Sequence, residues 1–381
     1  MRVLVTGGAG FIGSFVVERL LAAGHDVRVL DALDPQVHPS GPPPYLANAA
    51  EFVRGDVRDG ATCGRALDGI DAVVHAAAAV GVGQSLYQVE HYVDVNVRGT
   101  ATLLQALADR KAPVRKLVVF TSMTGYGEGV YRRPSDGQEL RIPIRQQDDI
   151  ARHGWEPVCP QTGERLEPAL TSEDAALQAR NVYALTKRYQ EELALNVGAV
   201  YGWPVVCLRL FNVYGPRQSL ANPYTGVLAI FLSRLLAGQR PVVYEDGGQS
   251  RDFVSVHDVG DAVMAAFASD RADGQVVNIG AGIPRAVGEI ARELAALVER
   301  PDLTPDVTGQ FRVGDVRHCT ADTRRARALL DWQPRTDWTA NLREIIAWCQ
   351  ATNTTDDFAR AHGELAARGL VSDRIRAGGT E

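Results

Sequence analysis

The sequence predicts an α/β protein, a doubly wound parallel sheet carrying a smaller mixed α/β lobe. Three observations lead there. Over the first 120 residues short β-branched runs alternate with helical stretches, and a glycine cluster directly follows the first run. The chain has 381 residues, 45% of them apolar and 23% charged, which is enough for two lobes around a sizeable core.

The elements follow in order. RVLVT (2–6), VRVLD (27–31), EFVRGD (51–56), DAVVHAAA (71–78) and KLVVFTS (116–122) are expected strands, because continuous apolar runs suit a parallel sheet covered on both faces. FIGSFVVERLLAAG (11–24) and an amphipathic stretch near 85–109 supply crossing helices, and 35–44 is a proline-rich loop. The interval 128–178 holds five prolines, many charges and little periodicity, so it is expected to be an insertion. A helix over 181–200 and the strand PVVCLRL (204–210) complete a first lobe, 1–210. Beyond it come helices near 227–237, 286–298 and 340–350, one ending at 269, the segment 242–259 and VVNIG (276–280). These pieces are too short for an independent second sheet of size, and they predict a substrate lobe, 211–350, interleaved with the first. A tail, 351–381, carries one weak helix (358–367) and a polar end expected to fray. No internal repeat stands out.

Composition narrows the function. The 40 Lys plus Arg against 46 Asp plus Glu give a net charge of −6, unsuited to a general affinity for nucleic acid. Cysteines 63, 159, 207, 319 and 349 are odd in number and scattered, which predicts reduced thiols in a cytoplasm, with no disulfide framework. No export signal precedes the first strand, and the most apolar stretch, 193–208, is broken by Asn196, two glycines and Pro204, so no membrane span is expected. The eight histidines show no metal spacing.

Thr6-Gly7-Gly8-Ala9-Gly10-Phe11-Ile12-Gly13 lies between a strand and a helix, and a second strand ends in Asp31, eighteen residues beyond Gly13. That context is the dinucleotide fingerprint of a Rossmann-type lobe: glycines admit the pyrophosphate and the helix N-terminus offers free N–H groups. Asp31 would accept from both ribose hydroxyls and repel a 2′-phosphate, which predicts NAD rather than NADP. Asp56, followed by Val57, ends the third strand; its carboxylate either meets the adenine amino group or caps the helix starting near Asp59.

Tyr183 and Lys187 stand at i and i+4 on one helix face, where an ammonium and a positive nicotinamide would favour the phenolate and make the tyrosine a usable base. Ser122, at the end of the fifth strand, completes the group by bonding the reacting hydroxyl. The alternative is a surface pair on a helix.

TGGAGFIG, Asp31, TSMTGYG, YALTK, RLFNVYGP, GGQSRDF and RVGDV together resemble the extended short-chain dehydrogenases, in particular the nucleotide-sugar 4-epimerases, over about residues 1–350 apart from the insertion. The resemblance implies that Tyr183 is base and acid, that Lys187 tunes it and holds the nicotinamide ribose, and that Ser122 assists the sugar hydroxyl. It puts His75, Ala76 and Ala77 along the cofactor and Asn96 on a helix supporting that loop. It assigns Thr124, Asn212, Arg251, Arg312 and Cys319 to the nucleotide-diphosphate sugar, the arginines gripping the diphosphate. The implied reaction oxidises the sugar 4-hydroxyl transiently and returns hydride to the opposite face. A homodimer through the helices near 85–109 and 181–200 is implied in the same way.

Some positions depart from relatives. Where 4,6-dehydratases carry an Asp-Glu pair, Met123-Thr124 offers no carboxylic acid, which disfavours dehydration; ketosugar reductases and decarboxylases share the scaffold and stay open. A non-catalytic NAD sensor is the alternative from another class, and the intact Ser122, Tyr183 and Lys187 argue against it. Cys319 replaces a bulky tyrosine of some epimerases, which leaves either room for a larger sugar or a plain buried thiol, the second slightly favoured. Within the insertion, WEPVCPQTG (155–163) is half of a Cys-x-x-Cys knuckle, with Cys159 in the first place and Thr162 in the second; one thiolate cannot make a tetrahedral zinc site. The segment resembles a branch that includes deoxythymidine-linked rhamnose epimerases. Because it joins the Ser122 strand to the Tyr183 helix, the insertion is either a lid over the sugar or a surface elaboration or dimer contact.

Overall fold

The computed structural model describes residues 1–110, 112–218, 226–312, 314–352 and 358–374. Its first sheet is parallel throughout. From one edge it runs β3 (Glu51–Arg54), β2 (Asp26–Asp31), β1 (Arg2–Thr6), β4 (Ala72–His75), β5 (Lys116–Ser122), then the strands Val205–Leu210 and Gln275–Ile279. Alternate residues of each strand serve opposite faces. Val3, Val5, Val29, Val74, Val118, Phe120, Val206 and Leu208 pack under α1 (Phe11–Ala22) and the helix Val256–Ala268. Leu4, Leu30, Val73, Leu117, Val119, Val205 and Cys207 pack under the helices Gly99–Asp109 and Val182–Tyr201. Both faces being covered is why these strands are continuously apolar in sequence. Strand order reverses between β1 and β4, and that reversal opens the crevice in which such sheets bind ligands.

Two local features aim the site. The helix ending at Asp109 is not regular: Val93–Arg98 is a π-turn, which brings Asn96 into the interior. The helix Val182–Tyr201 starts at Asn181, whose side chain accepts from Ala184 N at 2.8 Å, and stops at Gly202 in the left-handed region.

The expectation of no second sheet of size is corrected. A mixed sheet runs Asn212–Tyr214, Ser250–Ser255, His318–Ala321, Glu167–Thr171, Val130–Arg132, Glu139–Arg141, with Pro284–Ala286 on the far side of Ser250–Ser255. Its strands are three to six residues long, too short to register as a period, and they come from distant parts of the chain. Half of the main path comes from the insertion, which is therefore part of this sheet. The join is ionic: Arg145 lies between Glu128 (3.1 Å) and Glu245 (2.9 Å), while Arg317, 1% exposed, reaches Glu245 (2.7 Å), Asp246 (2.6 Å) and, through Nε, Glu156 (3.0 Å). Such a buried network fixes one arrangement more than it adds net stability.

The Gln275–Ile279 strand, from the second lobe by sequence, lies in the first sheet, so the lobes interleave. The tail folds back, its strand Val371–Arg374 pairing antiparallel with Gln310–Arg312; residues 375–381, expected to fray, lie outside the described residues.

Candidate active site

The glycine turn is built by close approach. Gly7 has φ +70°, and a Cβ there would stand 2.7 Å from Ala77 N, so the turn after β1 lies directly on the turn after β4. A Cβ on Gly13 would collide with the Gly7 carbonyl. The N-cap Gly10 has no side chain to satisfy the first amides of α1, those of Phe11, Ile12 and Gly13. At the end of β2 the Asp31 carboxylate is fixed through both oxygens, accepting from Ala9 N (3.0 Å) and Leu33 N (2.9 Å). An open amide turn beside an oriented carboxylate fits an NAD pyrophosphate and ribose.

Asp56 is held by its neighbour: Arg58 donates to both oxygens, Nε at 2.9 and 3.0 Å, and this pairing holds the carboxyl below its usual range. The cap of the helix Gly60–Ala66 is Asp59, accepting from Ala61 N at 3.1 Å, so the capping alternative for Asp56 is not the one the structure adopts. The Val57 side chain is core, packed with Cys63 and Leu103, and can face a cofactor only through its backbone. Phe11 meets Phe15 edge-on at 6.5 Å, and Ile12 packs on the first core.

His75 also turns inward. The Thr100 hydroxyl donates to Asn96 O (2.6 Å) and so must accept from His75 Nε2 (2.9 Å) and Gln190 Nε2 (2.7 Å). His75 thus carries its proton on Nε2 and accepts from the Thr6 hydroxyl at Nδ1 (2.8 Å); burial, aided by the charge of Lys187, pushes its pKa down to about 3. What this segment offers a cofactor is the backbone of Ala76 and Ala77, tied to Thr6 by 3.1 and 3.3 Å bonds. Asn96 grips the next turn, accepting from Ala79 N (2.7 Å) and donating to Ala79 O (3.0 Å) and Thr186 Oγ1 (2.9 Å).

Ser122, Tyr183 and Lys187 come together at the end of β5. Tyr183 N donates to Ser85 Oγ (3.0 Å), and its ring packs edge-on to Tyr92 at 6.4 Å. Burial raises the phenol to about 12, and a hydrogen bond with Ser122 opposes that rise. Ser122 Oγ accepts from Thr124 Oγ1 at 3.0 Å, so Thr124 orients it. Lys187 Nζ donates to Phe120 O (2.9 Å) and Gln190 Oε1 (2.8 Å), and burial lowers its pKa to about 7. The surface-pair alternative is excluded, since both side chains are buried.

On the substrate side, the Asn212 Oδ1 is buried and finds no partner among the described residues, an acceptor suited to a ligand. Asp315 bridges the two arginines, with Arg251 Nη2 on Oδ1 and Arg312 Nη2 on Oδ2, both at 2.7 Å. The two guanidiniums hold that carboxyl well below its ordinary range, and the trio keeps one net positive charge for a diphosphate. Arg251 also spends donors on the carbonyls of Ser250 (2.8 Å) and Val316 (2.7 Å), so Arg312, with a buried Nε lacking a partner among the described residues, has more to give. Cys319 packs with Met123, Tyr126 and Phe211 under Gly129; its geometry is that of the buried thiol. All five cysteines are free and buried, and no group of metal ligands occurs among the described residues.

Sequence reasoning missed Thr6, Thr100, Gln190 and Asp315. Gln190 lies three residues after Lys187 on one helix, a spacing that places it beside the ammonium. Thr6 and Thr100 carry no such signal, because their partners are brought in by the fold.

The model of the NAD dependent epimerase/dehydratase family matches residues 3–149 and 159–280. The chain is 36% identical over 355 residues, 91% of its length and 94% of the relative's, to a dTDP-L-rhamnose 4-epimerase of Burkholderia thailandensis. It is 35% identical over 341 residues, 88% and 94% of the two chains, to a UDP-glucose 4-epimerase of Mycolicibacterium smegmatis. Among solved structures it is similar to a UDP-glucose 4-epimerase of Thermus thermophilus in complex with NAD, with a TM-score of 0.72, 29% identity and coverage of 92% and 100%. With its amide turn, oriented Asp31 and joined Ser122, Tyr183 and Lys187, the chain belongs to the NAD dependent epimerase/dehydratase family.

Proposed function

We propose that the protein epimerises a nucleotide-diphosphate sugar at its 4-position, and that the sugar is carried on deoxythymidine diphosphate in preference to uridine diphosphate. The observation that carries the reaction is the meeting of Ser122, Tyr183 and Lys187 beside the amide turn. The nucleotide preference is supported by the dTDP-L-rhamnose 4-epimerase relative.

NAD, when bound, supplies the hydride acceptor and donor. Gly7, Gly10 and the amides of Phe11–Gly13 would hold its pyrophosphate, and Asp31 its ribose. Ser122 orients the sugar hydroxyl, and Tyr183 takes and returns that proton. Lys187, with Phe120 O and Gln190 filling two of its donors, has a third for the nicotinamide ribose, and its charge favours the phenolate. Arg312 and Arg251 grip the diphosphate, and Asn212 accepts from the nucleotide or sugar. Neither Met123 nor Thr124 is an acid, which leaves nothing there to expel a 6-hydroxyl.

Among the described residues no helix is long and apolar enough to cross a membrane. A cytoplasmic homodimer is the assembly this reading takes. It is supported by Val89, Val93, Leu185 and Tyr189, which are exposed on the two helical segments expected to pair.

The test is a panel of dTDP, UDP and GDP sugars followed at the anomeric and 4-position signals by proton NMR. Inversion at carbon 4, fastest with a dTDP sugar, is expected, and Tyr183→Phe should abolish it while dinucleotide stays bound. Unchanged turnover in that variant would sink the assignment; a faster UDP sugar would sink only the nucleotide preference.

A further inference from the structure

The insertion holds two turns that the reaction does not use, and they are alike. Arg133-Pro134-Ser135-Asp136-Gly137 and Cys159-Pro160-Gln161-Thr162-Gly163 share the pattern x-Pro-x-x-Gly. Each is closed by the same pair of backbone bonds. The first residue's N–H reaches the carbonyl five residues on, Arg133 N to Gln138 O at 2.9 Å and Cys159 N to Glu164 O at 2.7 Å. The glycine N–H returns to the first carbonyl, Gly137 N to Arg133 O and Gly163 N to Cys159 O, both at 2.8 Å. Both glycines have φ +73°. Each turn also tips a ribbon, the first formed by Val130–Arg132 and Glu139–Arg141, the second by the Val158–Arg165 bridge.

The two tips face one another. Glu164 accepts from Ser135 N (2.9 Å) and Ser135 Oγ (2.6 Å), fastening the second turn to the first. The side chains at the first and fourth positions of both turns then converge. Arg133 Nε donates to Asp136 Oδ1 (3.0 Å), and Arg133 Nη1 stands 3.7 Å from Cys159 Sγ. Cys159 is in turn bonded by the Thr162 hydroxyl and by the amides of Gln161 and Thr162. Two such turns, face to face, with first and fourth side chains meeting and amides aimed at the sulfur, make the frame in which four thiolates hold a tetrahedral zinc ion.

We infer that the insertion is a two-knuckle metal ribbon in which the Arg133 guanidinium stands in the place of a zinc-type cation, with Asp136 and Cys159 turned to it as ligands would be and Thr162, at the fourth ligand position, bonded to the Cys159 sulfur. Hydrogen bonds replace coordinate bonds, and the charge pattern is kept: a cation at the centre, a carboxylate beside it, and a thiol drawn down to about 7 by Thr162, the turn amides and Arg133. The ribbon stands on the Val130–Arg132 strand, which pairs with Glu167–Thr171 in the second sheet, so the device staples the two tips of the insertion together above that sheet.

The full-length chain carrying Arg133→Cys, Asp136→Cys and Thr162→Cys presents four thiolates, counting Cys159. Titrated with cobalt, it is expected to take one equivalent with the intense visible bands of a tetrahedral thiolate site, bleached by zinc. The natural chain, treated alike, takes none and purifies without zinc. Should the triple variant fail to fold, Arg133→Cys with Thr162→Cys keeps Asp136 as a carboxylate ligand and is expected to bind one cobalt more weakly. A folded variant that binds no cobalt, or binds it with a six-coordinate spectrum, overturns the inference. So does stoichiometric zinc in the natural chain.

Discussion

The two sheets of this molecule are held by different means. The first is covered by apolar side chains on both faces, five of its seven strands come from residues 2–122, and its buried ion pair, Arg209 with Glu191, stays within one helix–strand contact. The second is assembled from three stretches of chain and joined by Arg145 and Arg317 among four carboxylates. A fixed cofactor suits the first arrangement: on the proposed reading the same pyrophosphate and ribose would always meet the same turns. A substrate side that differs among relatives suits the second, because short strands and ion pairs allow an insertion to be built in without disturbing the cofactor half.

The difference is broken most severely at Arg317. Arg317→Met removes the cation and leaves the buried Glu245, the partly buried Glu156 and the more exposed Asp246 without it. A loss of about 3–5 kcal/mol is expected in urea unfolding, with NAD binding retained in the protein that stays folded. A change within experimental error would show the network to be a surface-like decoration. In the first half the comparable probe is Gly13→Ala, which forces a methyl against the Gly7 carbonyl. About 1–3 kcal/mol is expected, read chiefly as weaker NAD binding by calorimetry, since the strain falls on the turn itself.

These contrasts also explain what the sequence disclosed. β1, β2, β4 and β5, the helix Val182–Tyr201 and the Gly7–Gly13 turn were legible because each is local: a continuous apolar run, a period, a glycine pattern. Ser122, Tyr183 and Lys187 were legible as residue types at expected places. The strands Val130–Arg132, Glu139–Arg141 and Glu167–Thr171 were not, since three to five residues are too few to show alternation and their partners lie far along the chain. Nor was the inward turn of His75, which depends on Thr6, Thr100 and Gln190 arriving from three elements. Cys319 was open to two readings because only Gly129 passing over it decides between them.

Acid should separate the halves. His75 stays neutral in the folded chain down to about 3, whereas an unfolded histidine takes its proton near 6.5. Between those values the unfolded state binds more protons, so stability falls with falling pH by about 1.4 kcal/mol per unit. Glu156, held down to about 2 against an ordinary 4.5, keeps its contribution to the second half until pH drops below that upper value. Hydrogen exchange at successive pH values should therefore show the strand ends around Thr6 and His75 loosening before the Val130–Arg132 and His318–Ala321 strands. His75→Gln should abolish the early loss; the opposite order of loosening would count against the assignment.

The smallest effect tests how the first half serves the chemistry. Lys187 keeps its charge only up to about pH 7, and above that the attraction favouring the Tyr183 phenolate fades. Gln190 Oε1, 2.8 Å from the ammonium, is its one side-chain acceptor among the described contacts, and the Thr100 bond to Nε2 prevents the amide from flipping. Gln190→Leu removes two hydrogen bonds, the one from Lys187 and the one to Thr100; loss of the first should cost about 1 kcal/mol, roughly fivefold in kcat, with KM for the sugar unchanged because no substrate contact is touched. Gln190→Glu should instead place a carboxylate against the ammonium, raise the Lys187 pKa and carry the alkaline limb of the kcat profile upward by about one pH unit or more. A residue that merely packs the helix would lower activity in both variants and leave the limb where it is, so superimposable profiles would reduce Gln190 to a structural part.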